Sequence, residues 1–222
     1  MQPEAAPPDA LIFDLDGTLW DAAPASTFGW NLALEEMGLP QRITDAGISS
    51  VSGRPFPECA ATLLPELVPI PQATIDHLEE GERTGIERIP GDLYPGVAEG
   101  LPRLAERYPL FLVSNCPGWY LEAFFRHRGL QECFTGWDCW GLSGISKSGM
   151  LLNLAERYRL ERAVYVGDTR GDRDATEAAG LTFAFVEYGF GSVDDPALAF
   201  EDFAALVHYF TSQGIAAAPA AK

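Results

Sequence analysis

The chain has 222 residues, enough for one large domain or for one domain carrying an insertion. Apolar residues make up 47% and charged residues 21%, a globular mix that supplies a buried core and argues against disorder of the whole chain. A formal net charge of -17 argues against an extended nucleic-acid or anionic-membrane surface, which needs clustered Lys and Arg, but it leaves room for a small anionic substrate held by a metal and local cations.

The opening "MQPEAAPPDA" lacks a basic segment followed by a long apolar run, and no later stretch is long enough to span a bilayer, so a cytoplasmic location is expected. The first strand expected is "ALIF" at 10 to 13, followed at once by Asp14 and Asp16 in "DLDGT". From about Ala22 to Asp92 helical segments such as "FGWNLALEEMG" and "QATIDHLEEGERTG" succeed one another between Pro- and Gly-rich turns, with no strand expected. "PGDLYPGV" at 90 to 97 forms the return linker, and "GVAEGLPRLAERY" at 96 to 108 has helical spacing. "LFLV" at 110 to 113 reads as the next strand and ends on Ser114 and Asn115.

"FTGWDCWGL" at 134 to 142 reads as a strand with its loop, and "GMLLNLAERYRL" at 149 to 160 as a helix. Two further strands are "AVYV" at 163 to 166, running into Asp168, and "TFAFV" at 182 to 186; between them "TEAAGL" ends a helix with Gly180 at its C-cap. Short continuous apolar runs alternating with helices point to an α/β fold, a Rossmann-like three-layer core with a mainly parallel sheet. The expected division is a core of residues 1–20 and 93–215, an inserted helical cap at 21–92 and a flexible tail at 216–222.

The polar residues at three strand ends should converge, because open α/β sheets bind ligands beyond the carboxyl ends of their strands. Asp14 to Thr18, "VSN" at Val113 to Asn115, Lys147, and "GDTRGD" at Gly167 to Asp172 stand in an order and spacing that resembles the haloacid dehalogenase (HAD) superfamily, most of whose members are phosphatases. The inserted helices resemble the cap of one HAD subclass. The cap, "GDTRGD" and "VEYGFG" at 186 to 191 look most like the phosphoglycolate phosphatase group.

The resemblance implies a Mg²⁺-dependent phosphatase acting on a small phosphorylated metabolite, working as a monomer or homodimer. Asp14 is the implied nucleophile and Asp16 the implied general acid and base; a carboxylate attacking phosphorus splits one hard hydrolysis into two easier steps. Gly17 permits a close turn, and with Thr18 it is expected at the phosphoryl group. The Ser114 hydroxyl and the Asn115 backbone N–H are expected to donate to phosphoryl oxygens. Lys147 is the only lysine of the chain besides the terminal Lys222, against thirteen arginines, and a compact ammonium can contact both the nucleophile and the phosphoryl group. Asp14 and Asp168 are the implied Mg²⁺ ligands with the Asp16 carbonyl, while Asp172 is either a ligand or an orienting neighbour.

In the cap, Arg54 of "SGRPFPE" is either a substrate-binding fork or a surface residue. Trp20, Trp30, Trp119 and Tyr120 are expected in core packing or at the pocket mouth, and His77, His127 and His208 have no catalytic companions. Cys59, Cys116, Cys133 and Cys139 have no metal-type spacing and are expected as reduced thiols. Asp16 argues against dehalogenation, since a halide leaves without a proton. A phosphoglucomutase-like transferase, or a phosphate-binding module without catalysis, remains as the alternative.

Overall fold

A computed structural model describes residues 7–39 and 43–212; the tail expected at 216–222 lies outside them. Six strands form one parallel sheet in the order β5-β4-β1-β6-β7-β8. They are β1 (Leu11–Phe13), β4 (Leu110–Ser114), β5 (Gly136–Cys139), β6 (Val164–Gly167), β7 (Thr182–Val186) and β8 (Ala199–Phe200). Two further strands, β2 (Trp20–Asp21) and β3 (Asp92–Leu93), pair antiparallel where the chain leaves and re-enters the core.

The apolar runs serve both faces of the sheet because side chains alternate along a strand. Leu11, Phe13, Leu110, Leu112, Val164 and Val166 face α5 (Val97–Ala105), α6 (Gly118–Arg128) and α10 (Phe203–Ser212). Ile12, Phe111, Val113 and Tyr165 pack with α8 (Lys147–Tyr158), through Met150, Leu151 and Leu154, and α9 (Arg170–Ala178) covers the same face. A short α7 (Trp140–Ser143) follows β5. The layers are therefore helix, sheet and helix, as the sequence pattern implies.

Between β2 and β3 run α1 (Ala23–Glu36), α2 (Asp45–Val51), α3 (Phe56–Leu63) and α4 (Gln72–Arg88). They gather an apolar cluster of their own around Trp30, Leu34, Phe56 and Leu78. The expectation of no strand in the helical segment holds for its interior; the β2–β3 ribbon sits at its two ends. Two residues per strand are too few for a periodic signal, and only the meeting of segments more than 70 residues apart makes them a pair.

β1 lies between β4 and β6, and the chain builds outward from it first through β4 and β5, then through β6, β7 and β8. The carboxyl ends of β1, β4 and β6 thus meet at the point where strand order reverses, which opens a crevice. Among the described residues no helix is long and apolar enough to cross a membrane.

Candidate active site

Asp14 follows β1 directly and is buried; its N–H is tied to the Val166 carbonyl of the neighbouring strand at 2.9 Å. Lys147, first residue of α8 and also buried, places Nζ 3.0 Å from Asp14 Oδ1 and donates to Asp172 Oδ1 at 2.6 Å. Ser146 caps that helix by accepting from the Gly149 N–H, which fixes where Lys147 begins. Asp172 has two tasks: its Oδ2 accepts from the Thr169 N–H and hydroxyl in a capping box at the start of α9. One side chain of "GDTRGD" thus both caps a helix and belongs to the acid cluster.

Asp168, at the end of β6, is buried and accepts from the Phe190 and Gly191 N–H groups at 2.7 and 3.3 Å and from the Thr18 hydroxyl at 3.4 Å. Asp14, Asp168 and Asp172 present ligand atoms within 4.8 Å of one another. Three buried carboxylates face one ammonium, so the cluster has an excess of negative charge that suits a cation, and the buried Asp14 Oδ2 has no hydrogen-bond partner. Burial, reinforced by Asp172 and opposed by Lys147, raises Asp14 to about 6. Burial also raises Asp168 well above the carboxylate range. At Lys147 burial alone would lower the pKa, but Asp14 and Asp172 outweigh it and hold the ammonium charged.

Asp16 stands on the other side of this turn and lines a cavity beneath the inserted helices, together with Ser114 and Asn115. Burial raises it to about 7, against the Tyr120 hydroxyl, which donates to Asp16 Oδ1 at 2.7 Å. Tyr120→Phe removes a bond that favours the charged form, so the Asp16 pKa should rise further. If Asp16 acts as an acid, the alkaline fall of kcat on an ester with a poor leaving group should move up by about one pH unit, read from a pH–rate profile.

Gly17 has φ +78°, and a Cβ there would stand 2.2 Å from Asp168 Oδ2, so glycine is needed both for the turn and for the approach. That approach is to a carboxylate of the cluster. Thr18, expected at the phosphoryl group, is fully buried with its hydroxyl turned to Asp168, because the turn folds it under the loop after β7, where Tyr188 donates to its carbonyl. Asn115 directs its side-chain amide to the Gly53 carbonyl at 2.7 Å, linking the core to the loop between α2 and α3. Arg54 lines the cavity but is exposed, and its Nη1 donates to Thr62 at 3.4 Å rather than reaching the acid cluster.

Tyr120, expected in the core or at the pocket mouth, lines the cavity and bonds Asp16, a role no sequence signal marks, and the N–H groups of Phe190 and Gly191 have no expected role. The paired glycines of "YGFG" were the available sign of a close backbone approach; nothing in the α6 pattern marks Tyr120. His77 pairs with Glu36 and His127 stands near Glu87, away from the cluster. All four cysteines are free.

The model of the haloacid dehalogenase-like hydrolases matches residues 8–180. The phosphoglycolate phosphatase of Rhodobacter capsulatus is 34% identical over 212 residues, covering 89% of this chain and 94% of its own. That of Vibrio cholerae is 30% identical over 87% of this chain and 90% of its own. Among solved structures, a predicted phosphoglycolate phosphatase from Haemophilus somnus superposes with a TM-score of 0.81 at 21% identity, over 93% of this chain and 99% of that one. A predicted phosphatase from Clostridium acetobutylicum does so with a TM-score of 0.78 at 19% identity, over 94% and 100%; at such identities the likeness is one of fold. A family match spanning most of the chain coincides with an acid cluster at the carboxyl ends of the central strands, and the chain belongs to the haloacid dehalogenase-like hydrolases.

Proposed function

We propose that this phosphatase hydrolyses small phosphomonoesters through an aspartyl-phosphate on Asp14, with Mg²⁺ as cofactor and residues 21–92 acting as a cap over the site. The observation that carries the reading is the division of labour between the two aspartates. Asp14 lies in the carboxylate cluster 3.0 Å from Lys147, whereas Asp16 lines the cavity and is held near the pKa of a proton donor at neutral pH.

In this reading an Asp14 oxygen forms a bond to phosphorus as the ester P–O bond breaks, and the departing alkoxide takes the proton of Asp16. Water then attacks phosphorus and gives its proton to Asp16 as the P–O bond to Asp14 breaks, which releases phosphate and restores the Asp14 carboxylate. Ser114 and the Asn115 N–H donate to the phosphoryl oxygens, and Lys147 holds the nucleophile and balances charge. Asp14 and Asp168, with the Asp16 carbonyl, would hold Mg²⁺, which supplies positive charge against the carboxylates and the phosphoryl oxygens. Asp172 has both oxygens engaged by Lys147 and Thr169, which suits it to orienting Lys147. Thr18 supports Asp168 from beneath.

The names of the curated relatives make 2-phosphoglycolate the reference substrate for assay. The test is phosphate release from a panel of phosphomonoesters with and without Mg²⁺, where transfer to a second sugar phosphate without release would point to a mutase instead. Asp16→Asn should slow alkyl phosphates about 10²- to 10⁴-fold while slowing activated aryl phosphates far less, since a good leaving group needs no proton. Equal losses on both would remove Asp16 from the acid role.

A further inference from the structure

Helices α1 and α4 approach so closely that a Cβ on Gly29 would stand 2.2 Å from the Gly81 carbonyl oxygen. The next residue, Glu82, is 7% exposed and lines the same cavity as Asp16 and Tyr120. Its charge acts on both of them. Ser26 and Trp30 of α1 flank its carboxyl, and both are buried cavity residues. The Trp30 indole N–H lies beside Glu82 without closing a well-formed hydrogen bond to it.

Burial raises Glu82 to about 7, opposed by Ser26 and Trp30, so holding a carboxylate here carries a desolvation cost that an apolar side chain would avoid. Packing gives no reason for it: Leu78 and Ile86, one helical turn to either side, are apolar. Arg54, a cation of the cavity lining, is exposed and turned to Thr62, and among the described residues Glu82 has no ion-pair partner. The cavity is about 60 Å³, room for roughly four to six water-sized atoms. Ser114 and Asn115 line the same cavity, so the phosphoryl group and the leaving group share it, which favours a compact leaving group.

We infer that Glu82, the Trp30 indole N–H and the Ser26 hydroxyl form a leaving-group subsite that selects a small alcohol bearing a second hydroxyl, a diol or polyol monophosphate, over one bearing a carboxylate. A hydroxyl both donates and accepts, so it can give its proton to Glu82 and receive the Trp30 N–H. An ammonium can donate to Glu82 and Ser26 but offers the Trp30 N–H no acceptor. A carboxylate can accept from Trp30 and Ser26 but has no proton for Glu82 and meets its ionised form as a like charge.

This inference rests on the phosphatase reading, and a set of two-carbon esters separates the two: 2-hydroxyethyl phosphate, 2-aminoethyl phosphate, ethyl phosphate and 2-phosphoglycolate, with p-nitrophenyl phosphate as the activated control. The intact enzyme should favour 2-hydroxyethyl phosphate over 2-phosphoglycolate by at least about tenfold in kcat/KM, with the amino and ethyl esters below the hydroxyl one. Glu82→Gln should cut the hydroxyl-to-carboxylate ratio about tenfold, a change that a purely structural role for Glu82 would not produce. Trp30→Phe should weaken the hydroxyl ester more than the ethyl ester. A preference of the unaltered enzyme for 2-phosphoglycolate or 2-aminoethyl phosphate overturns the subsite even if the variants fail to fold. So does an unchanged ratio in Glu82→Gln, or turnover of the aryl ester alone. No turnover of any ester overturns the phosphatase reading, and the subsite with it.

Discussion

Asp14→Asn is expected to lower turnover by at least about 10⁴-fold on every phosphomonoester, aryl or alkyl. An amide oxygen is a far poorer nucleophile than a carboxylate, so no phosphoenzyme can accumulate, and a good leaving group brings no rescue. The fold should survive, since Asn has nearly the same shape and Asp14 is a carboxyl whose burial raises its pKa to about 6, which means that its ionised form is held at a cost. Lys147 would keep its bond to Asp172. Steady-state rates, borohydride trapping of the acyl phosphate and a melting curve check the three parts separately. Near-normal turnover would remove Asp14 from the nucleophile's role, whereas a collapsed melting transition would make the variant uninformative about chemistry and shift the test to trapping on the unaltered enzyme.

Lys147→Ala should produce the other large effect, on stability and activity together. The ammonium lies between Asp14 and Asp172 with almost no exposure, and removing it leaves buried carboxylates without their cation. Breaking a buried pair from one side costs about 3–5 kcal/mol. The loss should be largest near pH 8 and smaller at pH 5. With the Lys gone, Asp14 binds its proton at a higher pH than its present value of about 6, so at pH 5 it is neutral and leaves no charge to compensate. Turnover should fall about 10²- to 10³-fold from lost charge at the phosphoryl group. Denaturant unfolding at the two pH values, in metal-free buffer, is the measurement. Equal destabilisation at both would mean that packing of the Lys stem dominates over its charge.

The layered α/β core was legible because its strands are buried on both faces and therefore leave uninterrupted apolar runs, each closed by a polar residue. "ALIF", "LFLV", "AVYV" and "TFAFV" match β1, β4, β6 and β7 to within a residue or so. "FTGWDCWGL" holds β5. The strands β2, β3 and β8, of two residues each, were not legible, since pairing rather than local pattern creates them.

In the site, Asp14 and Asp168 were readable because each follows a strand, and Lys147 and Asp172 through the resemblance of their motifs to the family's rather than through a local pattern. Glu82 had a sign that went unread. It occupies the turn between Leu78 and Ile86 on the buried stripe of α4, where the 3.6-residue period calls for an apolar side chain. Within "LEEGER" it is indistinguishable from the half-buried Glu79 and the exposed Glu80 until the stripe is aligned with its partner helix.

By itself the sequence determined the fold class, the inserted helices and the hydrolase family whose motifs stand at the strand ends, because apolar periodicity and a motif's residue types are local properties carried in chain order. Only the tertiary structure decided that Thr18 and the Phe190 and Gly191 N–H groups serve Asp168, that Tyr120 reaches Asp16, and that Glu82 faces the cavity. Those partners lie from 22 to 150 residues apart in the chain. Their meeting depends on which helix crosses which, a consequence of packing the whole chain that no short window of residues contains.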